Sequence, residues 1–335
     1  MVHSVLQFAL SAFVIVVAGS YLTKFADKFA EVAGLGRMIA GALLLAGATS
    51  LPELMVDLRA IQLDLPDLAV GDLLGSSLFN LLILAILDFA FPSAFRRTAF
   101  SPKFLHHALA AVLSVTLTAI VGIGIASKIE ASFLGVSLIS WAIAIVYFYG
   151  LRLIFLDGGA QTDMASAVGG GRAFWLGSRR PMLLALSGYG LCAAVILVAA
   201  PFLVASADAL AKQSGLGHTF IGTTLVALAT SLPELVSTLA AFRMGKPDLA
   251  LGNIFGSNAF NMILFVPLDF MYPKVLFSSV RGTHAITAFS IVVATSVAVM
   301  GQLYRKSARS RLTEPSSEAV VVVIVGFLAL LYHIV

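Results

Sequence analysis

The chain has 335 residues, 59% of them hydrophobic and 11% charged, with a mean hydropathy of +1.00. Soluble domains carry about 25% charged residues, so the composition excludes a soluble globular protein and indicates an integral membrane protein. The net charge of +4 reflects where basic residues fall about a membrane rather than nucleic-acid affinity, and the single cysteine, Cys192, in an apolar run, excludes an internal disulfide and reads as a small buried residue.

The N-terminal run "MVHSVLQFALSAFVIVVAGSYL" has no basic start and no small-residue cleavage pattern before Lys24 and Asp27, which predicts a retained helix rather than a signal peptide. Apolar runs of about 20 residues, the length that crosses a hydrocarbon core, predict spans at roughly 4–23, 37–61, 66–90, 104–126, 131–154, 182–206, 216–242, 248–271, 283–303 and 317–334. That makes ten helices. With the N-terminus outside, the inward connections carry 16 of the 21 basic residues, and the outward ones carry only Arg59, Lys128, Lys212, Lys274 and Arg281. This asymmetry predicts that both termini lie outside. The connection at 157–181, with "GGAQTD" and "GGGR", is Gly-rich and reads as a cytoplasmic linker between two halves, 1–156 and 182–335. Its "VGGGR" follows no strand and opens no P-loop pattern, which argues against nucleotide binding.

Shifting the chain on itself by 181 residues aligns Gly41–Asp88 with Gly222–Asp269 without a gap, and 23 of the 48 positions are identical. The matches include "ATSLPEL" at Ala48–Leu54 and Ala229–Leu235, "PDLA" at Pro66 and Pro247, "GS" at Gly75 and Gly256, and "FN" at Phe79 and Phe260. Each half therefore holds five helices. Because five is odd, the second half enters the membrane from the opposite side. The expected fold is all-α, ten transmembrane helices as two inverted five-helix repeats, the layout that secondary transporters use for alternating access.

Each "TSLPEL" sets a proline and a glutamate inside an apolar run. The proline cannot donate to the carbonyl one turn earlier, so carbonyls at Ala48 and Thr49, and at Ala229 and Thr230, are released as candidate ligands. Glu53 and Glu234, four residues after the threonines, share their helical face. Ser76 with Asn80, and Ser257 with Asn261, are spaced i, i+4 on the next helix, where Gly71, Gly75, Gly252 and Gly256 suit close helix packing. A hard cation such as calcium takes about 6–8 oxygens from groups of these kinds, and two glutamates neutralise a divalent charge. No basic residue lies within these helices near either glutamate, which favours ligands over a structural ion pair, since intramembrane acids are functional by default.

These doubled motifs resemble the two alpha-repeats of the calcium/cation antiporter superfamily, the sodium/calcium exchangers and their calcium/proton relatives. The resemblance implies that Glu53 and Glu234 are the central calcium ligands, that Thr49, Ser50, Thr230 and Ser231 line the ion sites, and that Ser76, Asn80, Ser257 and Asn261 complete them. It implies a transported calcium ion with a sodium or proton counter-ion, no further cofactor, membrane lipid as surroundings, no nucleic acid, a monomer, and a cell membrane of prokaryotic type. Sodium/calcium exchangers often carry an aspartate where this chain has Asn80 or Asn261. With two glutamates as the only ionisable groups of the core, the exchange ratio should be closer to two than three, and proton coupling gains weight, unless Asp72 reaches the site. Asp72, Ser76 and Asn80 lie at i, i+4 and i+8 on one face, so Asp72 is a candidate for an approach path as well as a ligand. Asp57, one turn beyond Glu53, is a second acid that the other repeat lacks.

Other polar residues read more plainly. Asp67 and Asp248 follow prolines at helix starts and read as N-caps. Asp88 and Asp269 read as interfacial, and so do His106 and His107. A channel is the alternative class, but two central unpaired glutamates would bind too tightly for rapid conduction. Exchange of another divalent ion with protons is a further alternative. An intramembrane enzyme would need a water-activating acid pair, and the Ser, Thr, Asn and Pro around each carboxylate suit cations instead. The chain is expected not to be an enzyme.

Overall fold

The structure, a computed structural model, describes residues 2–33, 39–90, 104–168, 179–213, 230–303 and 315–334. In chain order the elements are α1 (Val2–Ala33), α2 (Ala40–Thr49, π-helical over Ala40–Leu45), α3 (Leu51–Gln62), α4 (Pro66–Ala90), α5 (Phe104–Ser127), a hairpin of β1 (Ser132–Phe133) and β2 (Val136–Ser137), α6 (Leu138–Val168), α7 (Arg179–Gln213), α8 (Leu232–Arg243), α9 (Pro247–Met271), α10 (Leu276–Ser279), α11 (Thr283–Leu303) and α12 (Pro315–Ile334). Seven of the described helices are long and apolar enough to cross a membrane, and α2 with α3 make an eighth span if the bent pair counts as one.

Two differences from the expected spans have local causes. The fifth span begins at Leu138 rather than near 131, because Leu134 and Gly135 both adopt positive φ (54° and 78°) and close a two-residue hairpin pairing Phe133 with Val136. The helix then runs on to Val168, so the first part of the Gly-rich connection is helical; residues 169–178 lie outside the described residues. The first half of the expected span 216–242 also lies outside them, and its second half is α8.

Burial sorts the helices into an inner and an outer set. Of the most apolar stretch of each helix, 83% is buried in α9 and 67% in α4, against 28% in α1 and 11% in α7. Helices α1 and α7 pack along each other and turn large apolar side chains outward, among them Leu10, Phe13, Leu191 and Val198. In water such a surface would be an aggregation liability, whereas in lipid it is the solvated face. Helix α9 is the axle, touching α2, α4, α5 and α8. Its fully buried Phe265 stacks on Phe277 of α10 with ring centroids 5.6 Å apart.

Small residues bring α2 against α9. A Cβ on Gly41 would stand 2.3 Å from the Leu249 carbonyl oxygen, and one on Gly256 would stand 2.4 Å from Ala42 Cα. Only glycine fits either place. Of the glycines expected to serve this purpose, Gly256 does so, while Gly75 meets no described atom within 4 Å.

The sequence repeat is matched in backbone geometry. Ser50 and Ser231, each opening a half-helix, have φ/ψ of −90°/3° and −83°/6°. The turns that follow are also alike. Asp64 (φ 57°) and Gly245 (φ 68°) hold the left-handed position of a Schellman turn, closed by Leu65 N donating to Ala60 O and by Lys246 N donating to Ala241 O. Asp64 and Gly245 are 181 positions apart, as are Ser50 and Ser231. Each repeat thus builds a short half-helix, a tight turn and a long buried helix.

Candidate functional site

The two half-helices start where the proline requires it. Pro52 and Pro233 lie in the first turns of α3 and α8, where a missing N–H costs nothing within the new helix, but Pro52 leaves Ala48 O without its usual partner. The axis bends by 44° between α2 and α3. Upstream, Tyr189 of α7 donates to the Leu44 carbonyl at 2.7 Å, so the π-helical turn keeps its backbone satisfied. Glu53 and Glu234 fall in the first turns of α3 and α8, among backbone N–H groups that favour negative charge.

Ten of the eleven residues singled out in the sequence are buried: Thr49, Ser50, Glu53, Ser76, Asn80, Thr230, Ser231, Glu234, Ser257 and Asn261. Asp72 is half-buried. Contacts join the two repeats rather than staying within either. Ser50 Oγ donates to Glu234 Oε1 at 3.3 Å, Ser231 Oγ to Ser76 Oγ at 3.3 Å, and Thr230 Oγ1 to Asp72 Oδ1 at 3.5 Å. Glu53 lies within electrostatic range of Glu234, Asp72 and Asp57. Six buried oxygens here meet no donor: both of Glu53, Oε2 of Glu234, Oδ1 of Asn80 and of Asn261, and Oγ of Ser257. Buried acceptors without donors are costly, so a cluster of them is a place that a cation would stabilise. Among the described residues no three His, Cys, Asp or Glu side chains gather into a metal cluster; the oxygens come from carboxylates, hydroxyls and amides together.

The structure adds two residues to this cluster. Asn80 Nδ2 donates to Asn258 Oδ1 at 3.0 Å, Asn258 Nδ2 donates to Ser77 O at 3.2 Å, and Asn261 Nδ2 reaches Ser77 Oγ at 3.5 Å. Asn258 and Ser77 are 181 positions apart, so the two repeats bond to each other through equivalent positions. These bonds use the amide nitrogens of Asn80 and Asn261 and leave their oxygens free, so interhelical bonding and ligation are compatible. Sequence carried a signal for Asn258, which is three residues from Asn261 and shares its helical face.

Two of the three acids that the second repeat lacks, Asp57 and Asp72, lie beside this cluster, and the third, Asp64, holds the turn after α3. Asp57 is fully buried, neither of its oxygens meets a donor, and its carboxyl adjoins that of Asp72. At the matching positions of the second repeat, Asn253 Nδ2 donates to Thr238 Oγ1 at 2.9 Å.

Packing gives other polar residues their roles. Asp269, near the end of its span, is covered by protein. It is buried and accepts from Ser137 N (2.7 Å), Ser140 Oγ (2.8 Å) and Leu276 N (2.9 Å), tying the β2–α6 junction to α10. Asp67 accepts from Arg281 N at 2.7 Å and bonds His284 Nε2 at 3.0 Å, so it fastens α4 to α11 instead of capping its own helix. The N-cap of α9 is Lys246, two residues before Asp248. Cys192 is half-buried rather than buried. The side chains of Asp88, His106 and His107 lie outside the described residues.

Comparisons with known proteins bear on the family and the fold. A family model for the sodium/calcium exchanger protein matches residues 3–156 and 184–334. Inner membrane protein YrbG of Escherichia coli is 30% identical over 237 residues, which cover 70% of this chain and 69% of that one. The putative antiporter CaxA of Alkalimonas amylolytica is 26% identical over 311 residues, 92% of each chain. Among solved structures, the sodium-calcium exchanger NCX_Mj soaked with sodium and strontium superposes with a TM-score of 0.71 over 98% of both chains at 20% identity, a likeness of fold.

Proposed function

This chain belongs to the sodium/calcium exchanger protein family, and from that premise we propose that it is a secondary antiporter that carries calcium against sodium or protons by alternating access. The observation that carries the reading is the pair Glu53 and Glu234, each about 1% exposed and each set at a helix break, with three of their four carboxyl oxygens lacking a donor. Two carboxylates balance a divalent charge, which offsets the cost of taking it out of water. The six donor-free oxygens lie at the low end of the roughly 6–8 that calcium takes. Thr49, Ser50, Thr230, Ser231 and Ser76 border the ion and exchange hydrogen bonds across the repeat interface as it loads and leaves.

In this reading the ten predicted spans form two inverted five-helix repeats, with both termini outside and the halves joined by the connection at 157–181. The matched breaks at Ser50 and Ser231 and the bonds between equivalent positions support it. Rocking one repeat against the other exposes the glutamates to each side in turn. The protein works as a monomer in lipid. The glutamate pair alone accounts for two monovalent charges per calcium.

One assay tests the reading. Purified protein in liposomes is offered calcium outside while an outward sodium gradient or an outward proton gradient is imposed separately. Saturable calcium uptake driven by at least one gradient is expected, and the reversal potential under varied sodium and pH gradients identifies the counter-ion and the ratio. Calcium flux that is insensitive to both gradients and does not saturate would indicate a channel. Uptake of another divalent ion in preference to calcium would correct the cargo.

A further inference from the structure

At Asp57 and Asp72 the two repeats differ in charge at matched, buried positions. In the second repeat the pair is Thr238 and Asn253, and it closes with an ordinary hydrogen bond, Asn253 Nδ2 to Thr238 Oγ1 at 2.9 Å. The same two places in the first repeat hold two carboxyl groups and no donor between them. Asp57 is fully buried with both oxygens unpartnered, and Asp72 Oδ2 is unpartnered as well. Thr230, from the other repeat, reaches Asp72 Oδ1 at 3.5 Å. No ion pair of the described residues involves either aspartate. Two adjoining buried carboxylates repel, and what joins them in place of the missing donor must bring positive charge.

We infer that Asp57, Asp72 and the Thr230 hydroxyl form a second cation site, distinct from the Glu53–Glu234 pair, that takes a monovalent hard cation of the sodium class. The inference rests on the antiporter reading above and adds a site to it. Asp57 is four residues beyond Glu53, so the second site sits about 6 Å along α3 from the first, toward Gln62. Two carboxylates and one hydroxyl offer about five oxygens, short of the 6–8 of calcium; a monovalent ion suits that smaller shell and leaves the pair one net negative charge, whereas a divalent ion would balance it. A cation held so close to the glutamates opposes a divalent ion between them by direct repulsion. Loading this site therefore helps to expel calcium, which is the coupling that exchange requires. Its presence also alters the charge count made from the glutamates alone, by one monovalent ion per cycle.

The second repeat supplies the test variant. Asp57→Thr with Asp72→Asn installs the Thr–Asn pair that already packs at Thr238 and Asn253, and Asp72→Asn alone is a milder companion whose melting profile checks folding. Equilibrium binding of radioactive sodium and, separately, radioactive calcium is measured on the full chain in detergent, and the exchange ratio in liposomes. The double variant should bind one sodium ion fewer per protein, with calcium binding kept and the sodium-to-calcium ratio lowered by one; Asp72→Asn should weaken sodium binding by about tenfold, or 1.4 kcal/mol. Unchanged sodium capacity in both variants overturns the proposal. So does a loss of calcium capacity instead, which would make the pair a divalent site, or a selective loss of proton-driven uptake, which would make it a proton carrier. Should the wild type fail to bind calcium, the antiporter reading fails, while the sodium counts still judge the aspartate pair.

Discussion

Replacing Gly256 with alanine perturbs the seam that holds the two halves of the site together. The new methyl would stand 2.4 Å from Ala42 Cα and 2.6 Å from Ala42 O, both backbone atoms that cannot rotate away. Ordinary contact begins near 3.4 Å, so α2 and α9 must part by about 1 Å at this point. Overpacking of this kind costs about 1–3 kcal/mol, and the absence of a yielding side chain puts Gly256→Ala toward the upper part of that range. The consequence for ion binding should be larger than for stability alone. Helix α2 leads into Ser50 and Glu53, and α9 carries Ser257 and Asn261, one and five residues past the contact. Metal–ligand distances are held to about ±0.2 Å, so an opening of about 1 Å should reduce calcium affinity by tenfold or more, which is at least 1.4 kcal/mol. Thermal melting in detergent, with and without calcium, reads both effects. Gly47→Ala is the control: its methyl would meet Phe260 Cε2 at 3.7 Å, an ordinary contact, and should change stability by under about 0.5 kcal/mol. A Gly256→Ala protein with unaltered melting temperature and calcium affinity would refute the argument that close α2–α9 approach sets the site.

Glu53→Gln and Glu234→Gln should each abolish calcium exchange while leaving the protein folded, because each removes a charged oxygen ligand from a divalent ion; full transport in liposomes by either variant would remove that residue from the site. Asn258→Ala leaves Asn80 Nδ2 without its partner and removes the side-chain donor to Ser77 O, and should destabilise by about 1–3 kcal/mol, read as a lower melting temperature. Asp269→Ala strands the Ser137 and Leu276 N–H groups and should cost about 2–4 kcal/mol, with calcium affinity in the surviving folded fraction unchanged. A reporter fused at Gly170 should be cytoplasmic and one fused after Val335 external, from the basic-residue asymmetry; finding both on one side would overturn the ten-span topology.

Much of the molecule was legible without coordinates because the relevant signals are local. Twenty-residue apolar runs, a proline inside one of them, and a 181-residue repeat are properties of short windows. The same physics that makes Pro52 and Pro233 helix starts acts whatever lies opposite. Spacing also placed Glu53 with Thr49, and Ser76 with Asn80, since i, i+4 on a helix is fixed by its pitch. Even the asymmetry of Asp57 and Asp72 could be seen by aligning the repeats.

Helical pitch says which residues share a face, but not which face of another helix it meets. That depends on packing between segments far apart in the chain, and it decided the rest. Asp57 and Asp72 became a pair because the α3–α4 turn folds one helix back on the other at a register the sequence does not state. Asn258 shares a helical face with Asn261, but it became the partner of Asn80 and Ser77 because α4 and α9 cross there. Asp269 sits near a span end, and only the packing showed that the tight β2–α6 junction and α10 close over it with three donors. Gly41, one among 28 glycines, was distinguished only by the backbone it touches.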